Sequence, residues 1–328
     1  MEELVQAKKH FSRMGWSYAA ATVLIILVQI GLIQVLRQTA PQVLNRMSGK
    51  LLVSAGSMYL VGFPVLFLLL KKGVPAERIE KHRMKAGQYV ASVVMCFSLA
   101  YVANIIGSIL TGIIGRYTGH AMENPLPDMI EDLSPWMILL YMVILAPIVE
   151  ELVFRKLIVD RAARYGQGVA VVVSGLMFGL FHGNLNQFVY AAAIGMFLAF
   201  LYVKTGNIKI TISIHMLFNF VGGFLSPQVF KLIDLNVLDS DDYEVILNSV
   251  QENLVGWLML ALFGLFVLSM LVAGMILFIV SAVKKRFACE DGTVYVPRQL
   301  RLNLALANSG MILFFLIWIV TILRQLLA

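Results

Sequence analysis

Three short patterns place polar, chemically capable side chains where a hydrophobic chain should have none. Glu150-Glu151-x-x-x-Arg155 follows Pro147, Phe178-x-x-x-His182 comes next, and His215-x-x-x-Asn219 is third, each within or closing an apolar stretch. A charged group inside a membrane span costs at least about 2.5–3.5 kcal/mol on insertion scales, so such residues are functional candidates by default. Helical spacing gives them geometry. Glu151 and Arg155 are i,i+4, in the favourable order for a carboxylate–guanidinium pair. Glu150 sits about 100° further round, so Arg155 can hold one carboxylate while its neighbour stays free. Phe178 shares a face with His182, and His215 with Asn219. A carboxylate with a histidine can position and deprotonate a water, and a second histidine with an asparagine can stabilise a developing oxyanion. These parts suit hydrolysis.

Each pattern alone also has a structural reading. A helix-end ion pair, a hydrogen-bonded core histidine and an Asn bridging two helices are ordinary features of membrane bundles. Coincidence favours chemistry, because nearly all strongly polar residues inside apolar segments fall in these three patterns. Asn104, Ser92, Ser98 and Thr111 read instead as packing or hydrogen-bonding residues of one span. Glu150, His182 and His215 could supply three zinc ligands with water as the fourth, but no His-Glu-x-x-His helix is present. The expectation is a site without a cofactor, with zinc as the lesser alternative.

The ordered set resembles the CAAX-protease and bacteriocin-processing (CPBP/Abi) family, intramembrane glutamate proteases related to the type II CAAX prenyl endopeptidase. The resemblance covers residues 135–222, with no departure at the motif positions. It implies Glu150 as the general base that activates water, His182 as the residue holding that water, and His215 with Asn219 as the oxyanion site. Glu151 and Arg155 would support them, and Phe178 would pack beneath His182. The choice of Glu150 over Glu151 rests mainly on the resemblance; spacing adds only that Arg155 is better placed to neutralise Glu151.

The elements that must carry these residues are membrane helices. Of 328 residues, 59% are hydrophobic and 14% charged, whereas a soluble domain needs nearer a quarter charged to cover its surface. No strict alternation of the kind that marks a transmembrane barrel appears. Hydropathy gives nine candidate spans, near 17–36, 51–70, 88–114, 135–154, 169–182, 188–203, 210–226, 254–282 and 307–326. The expected fold is all-α, one polytopic bundle of eight or nine spans forming a single integral membrane domain over 1–328. Its catalytic core is 135–222, with flanking spans in 17–114 and 254–326. Residues 1–15 are polar and the run 16–36 lacks a cleavage site, so it reads as a retained span. His10, His82 and His120 fall in loops or the polar N-terminus. Cys96 and Cys289 have no partner in sequence, which excludes a disulfide framework or zinc ribbon.

Segments 1–16, 71–87, 155–168, 204–209 and 283–306 hold 20 of the 26 Lys and Arg, while loops 115–134 and 227–252 are acidic. The positive-inside rule then puts the N-terminus in the cytoplasm. The net charge of +7 belongs to loops facing anionic lipid and does not indicate nucleic acid. Glu150 would lie about 7 Å from the inner end of span four, yet His182 about 20 Å along span five. They can meet only if span five is displaced or a water-filled chamber opens inward, and five glycines, Gly166, Gly168, Gly175, Gly179 and Gly183, would allow close packing there. Loop 227–252, with an apolar stripe at Leu232, Ile233, Leu235 and Leu238, reads as an interfacial cap.

The function expected is hydrolysis of a membrane-tethered peptide: a prenylated C-terminus, a secreted-peptide precursor, or the end of a membrane helix, in a bacterial plasma membrane. A non-catalytic immunity or partner-binding protein of the same family is the alternative. A proton-relaying transporter would show inverted repeats or paired broken helices, and neither is visible.

Overall fold

The computed structural model describes residues 2–119, 125–240 and 242–327; His120, Glu123 and Asp241 of the acidic loops lie outside them. Every regular element among the described residues is helical. The principal helices are α1 (Glu2–Thr39), α2 (Met47–Gly73), α3 (Ala86–Thr118), α4 (Pro135–Tyr165), α5 (Gln167–Phe181), α6 (Leu185–Thr205), α7 (Ile208–Phe230), α8 (Leu254–Val283), α9 (Arg298–Leu306) and α10 (Ser309–Leu327). Seven are long and apolar enough to cross a membrane, and α9 with α10, bent by 60° at the break between them, passes the same test only as a pair. The protein is an integral, multi-pass membrane bundle. The fifth candidate span, α5, has 15 residues, about 22 Å, and is too short to cross a hydrocarbon core of about 30 Å.

Sequence punctuation sets the boundaries. Asparagine side chains accept the first free amides of three helices: Asn184 from Gln187 (2.8 Å), Asn207 from Lys209 (3.2 Å) and Asn253 from Gly256 (3.0 Å). The tight reversals use glycine at positive φ, Gly166 at 128° between α4 and α5 and Gly206 at 57° after α6. Between α5 and α6 the backbones nearly touch. A Cβ on Gly175 would fall 2.7 Å from the Met196 amide nitrogen, and one on Gly179 would fall 2.9 Å from that of Ala192. Gly168 meets only ordinary contact with Cys289, so its expected packing role is not required.

Two boundaries depart from the hydropathy reading. Helix α1 begins at Glu2, and His10 is buried against Tyr165 (ring centroids 5.1 Å) rather than lying in a polar tail. Helix α4 runs on to Tyr165 instead of ending at 154. The charges that make 155–165 look like a loop have partners inside the bundle. Lys156 and the Tyr202 hydroxyl both donate to Asp160, at 2.5 and 2.8 Å. Arg161 donates to the carbonyls of Val74 and Leu157, and Arg164 pairs with Glu77 at 3.3 Å. A helix whose charged side chains are paired need not leave the protein interior.

That extension resolves the depth conflict. Glu150 lies 16 residues before Gly166 and His182 lies 16 after it, so both stand about 24 Å from the same turn. The α4–α5 hairpin therefore brings them level. The Lys- and Arg-rich segments gather at that turn's end of the bundle: Glu77 NH donates to the Asp160 carbonyl, His82 NH to Thr205, Gln167 NH to Glu290, and Val294 NH to Arg164. The acidic loops follow the opposite ends of α3 and α7. Within 227–252 only Ile233 of the expected stripe is buried; Leu232, Leu235 and Leu238 are exposed.

Candidate active site

Helix α4 is not a regular α-helix. It widens into i→i+5 turns over Ile138–Leu145 and again over Glu151–Lys156, a distortion common at functional sites. In the first wide segment the Ala146 amide bonds to the Tyr141 carbonyl, five residues back. The next donor in that register is residue 147, a proline without an N–H. The Met142 carbonyl is thereby left free, and Asn219 Nδ2 of α7 donates to it at 2.7 Å. The second wide segment offers carbonyls in the same way. Tyr18 OH donates to Val153 and Ser174 Oγ to Phe154, at 2.5 and 2.7 Å.

The two neighbouring glutamates have different surroundings. Glu151 and Arg155 are fully buried, with Glu151 Oε2 3.2 Å from Arg155 Nε. The guanidinium also lies over the Phe178 ring at 4.2 Å, so its charge is held by a carboxylate and a π face together. Glu150 instead lines a chamber of about 590 Å³ with its side chain 17% exposed. His182, His215, Asn219 and Phe178 line the same chamber, and Glu151 and Arg155 lie behind its wall. All seven motif residues thus converge, five facing the chamber and two supporting from within.

The histidines are fixed by what their ring nitrogens meet. His182 Nδ1 lies 2.9 Å from the Phe178 carbonyl. A carbonyl only accepts, so Nδ1 carries the proton and Nε2 is left with a lone pair. His215 Nδ1 lies 2.9 Å from Glu151 Oε1, and its Nε2 is 3.7 Å from Glu150 Oε2. His215 therefore stands between the two glutamates, oriented by the buried one toward the exposed one. Thr211, one turn earlier on α7, also interacts with the Glu151 carboxylate. The Phe178 ring meets His182 and His215 edge-on, at centroid distances of 4.8 and 5.8 Å.

Several wall residues carried no motif in the sequence. Tyr59 of α2, Tyr101 and Asn104 of α3, and Gln187 and Tyr190 of α6 line the chamber. Asn104, read from the sequence as a packing or hydrogen-bonding residue, is part of the wall. Ser98 fits the packing role, donating to the Leu271 carbonyl of α8 at 2.9 Å. Only contact across the bundle distinguishes the two, because single polar residues in one span give no period. The chamber lies away from the basic segments. It runs along the first half of α4 and the second half of α7, toward Met129 and Phe230 at the acidic-loop end. Toward the basic end the interior is filled by Arg155, Ile158, Val159, Ala162 and Tyr202, none more than 1% exposed. The extra turns of α4 fill the space that a shorter helix would have left open. Among the described residues no group of three His, Cys, Asp or Glu side chains is gathered to hold a metal ion.

Residues 132–221 match the family model of Rce1-like type II CAAX prenyl endopeptidases. A relative from Bacillus subtilis (strain 168), described as "Putative membrane peptidase YdiL", is 30% identical over 162 residues, covering 47% of the chain and 64% of that relative's length. No solved structure matches. The segment holding Glu150, His182, His215 and Asn219 is thus the part of the chain that is similar to the Rce1-like prenyl endopeptidases, and the chain spans a little under two thirds of the length of the relative it matches.

Proposed function

We propose that the protein is an endopeptidase that cleaves a membrane-tethered polypeptide, with Glu150 as general base and no cofactor. The observation carrying this reading is the asymmetry of the glutamates: Glu151 is buried on Arg155 and His215, while Glu150 faces the chamber. A water between Glu150 Oε2 and His215 Nε2 can donate a proton toward each, and His182 Nε2 supplies a further acceptor. Glu150 takes one proton as the water oxygen attacks the scissile carbonyl carbon. The carbonyl π pair moves to oxygen, and the second N–H of Asn219 Nδ2, whose first is held by Met142, donates to that oxyanion. When the tetrahedral carbon collapses, the C–N bond breaks and Glu150 returns its proton to the leaving nitrogen. Glu151 and Arg155 act through His215 as positioning residues.

Glu150→Gln keeps the shape and removes the basicity. Membrane peptide termini, compared by mass spectrometry in cells carrying wild type or Glu150→Gln, should show products only with wild type, and the variant should lose about 10²–10⁴-fold in turnover. Equal products from both proteins would overturn the mechanism. Matching profiles without products, with both proteins folded, would favour the non-catalytic immunity or partner-binding role. The transporter alternative predicts inverted repeats, and the chain instead carries a protease-family core on α4–α7.

A further inference from the structure

The geometry points to a chamber that opens on the extracytoplasmic face, so that the substrate is a membrane-tethered polypeptide whose scissile segment is presented on that side, not a lipidated cytoplasmic C-terminus. The substrate side rests on the proteolytic reading above; the position of the mouth does not. Two independent observations meet here. The first is where the chamber lies along each helix. Its wall takes Tyr141, Ala146 and Glu150 from α4, but nothing beyond 150; it takes residues 215–230 from α7, but nothing nearer the Gly206 turn. On α8 it uses Phe263 and Val267, in the first half of that helix, and on α3 Ala100, Tyr101 and Asn104, about midway along. None of its lining residues lies in a basic segment.

The second observation is the charge asymmetry of the two ends. The basic end carries 20 of the 26 Lys and Arg and is the end retained in the cytoplasm by the positive-inside rule. That end is also closed. Asp291 accepts from Arg298 at 3.0 Å and from Arg301 at 2.6 Å, Lys204 donates to Glu290 at 2.8 Å, and a Cβ on Gly292 would strike the Arg164 carbonyl oxygen at 2.0 Å. The loop after α8 is thus seated against the α4–α5 turn. Between it and Glu150 lie the buried pair Asp160 and Tyr202, with Lys156 bonded to both, and the Arg155 layer. A peptide approaching from the basic end would have to dismantle ion pairs and core packing. From the acidic end it meets a wall of Leu51, Met129, Phe230 and Phe263 with Asn219 beyond, suited to an extended apolar segment.

Single cysteines and a small membrane-impermeant methanethiosulfonate test the mouth without reference to catalysis. In a Cys289→Ser background, Tyr243→Cys marks the acidic end and Tyr295→Cys the basic end; both tyrosines are 73% exposed. Gly222→Cys marks the chamber, where an added Cβ meets nothing within 4 Å, and Ser226→Cys is a second chamber site. In intact cells the reagent should label positions 243, 222 and 226 but spare 295, and in inverted vesicles the pattern should reverse. Chamber cysteines that follow 295, or that react from neither side until the protein is denatured, would overturn the proposal, as would labelling of 295 in intact cells. For the substrate side, termini made by wild type but not Glu150→Gln should map to extracytoplasmic segments; termini confined to cytoplasmic segments would overturn it. Loss of the proteolytic reading would leave the labelling pattern unchanged, so the two failures are distinguishable.

Discussion

At residue scale the site depends on one buried charge being answered. Arg155 has no solvent, one carboxylate at 3.2 Å and one aromatic face. Arg155→Ala would leave Glu151 charged in the interior with His215 but without its guanidinium, and breaking such a pair from one side costs about 3–5 kcal/mol. Folded yield and thermal midpoint in detergent should both fall. The double variant Glu151→Gln/Arg155→Met removes both charges and should recover most of the yield while activity stays low, because His215 has lost the carboxylate that fixes its Nδ1 proton. If the double variant is as unstable as Arg155→Ala, the damage comes from packing on Phe178 and not from the stranded charge. His215→Ala should abolish turnover without that loss of yield.

At element scale the wide turns of α4 are what make the site, and Pro147 explains the first of them. Pro147→Ala restores an N–H that competes with Asn219 for the Met142 carbonyl. Folded yield should be maintained, while turnover drops about tenfold, the equivalent of one positioning hydrogen bond of about 1–1.5 kcal/mol. Turnover at the wild-type level would mean that Asn219 does not depend on that anchor. The same helix shows which features were legible in the sequence. The i,i+4 spacing was enough to assign Glu151 to Arg155, since the pair is local. It could not show His215 between the glutamates, because that contact spans 64 residues. Nor could hydropathy follow α4 past Arg155: it scores Asp160 and Arg161 as solvated, although each is only 6% exposed and held by Tyr202, Lys156 and the Val74 carbonyl. The short α5 looked like a span because its residues are as apolar as those of its neighbours. What shortens it is the glycine contact with α6 and the turn at Gly183, where φ is 68°.

At the scale of the whole molecule the bundle is open at one end and clasped at the other, and the clasp titrates. Asp291 sits in the loop between α8 and α9, and hydrogen bonds from Arg298 and then Arg301 hold its carboxyl down at about 2, below the usual 3.8. Glu290 beside it is lowered by its bond to Lys204. A carboxyl depressed in the folded state contributes stability that is fully present above its unfolded value and is lost as pH falls through the folded value. The Asp291 contacts should therefore persist at pH 4 and weaken between about 3.8 and 2. Limited proteolysis in detergent, with an acid-active protease, should find residues 284–298 protected at pH 4 and cleaved near pH 2. Asp291→Asn should be cleaved already at pH 4, and high salt should move wild type toward the variant, because these ion pairs are solvent-exposed and screened. The chamber lies away from this loop, so Asp291→Asn should leave turnover at neutral pH unchanged. If turnover falls with the clasp, the sealed end transmits to Glu150 through the paired charges of α4, and the two ends are not independent.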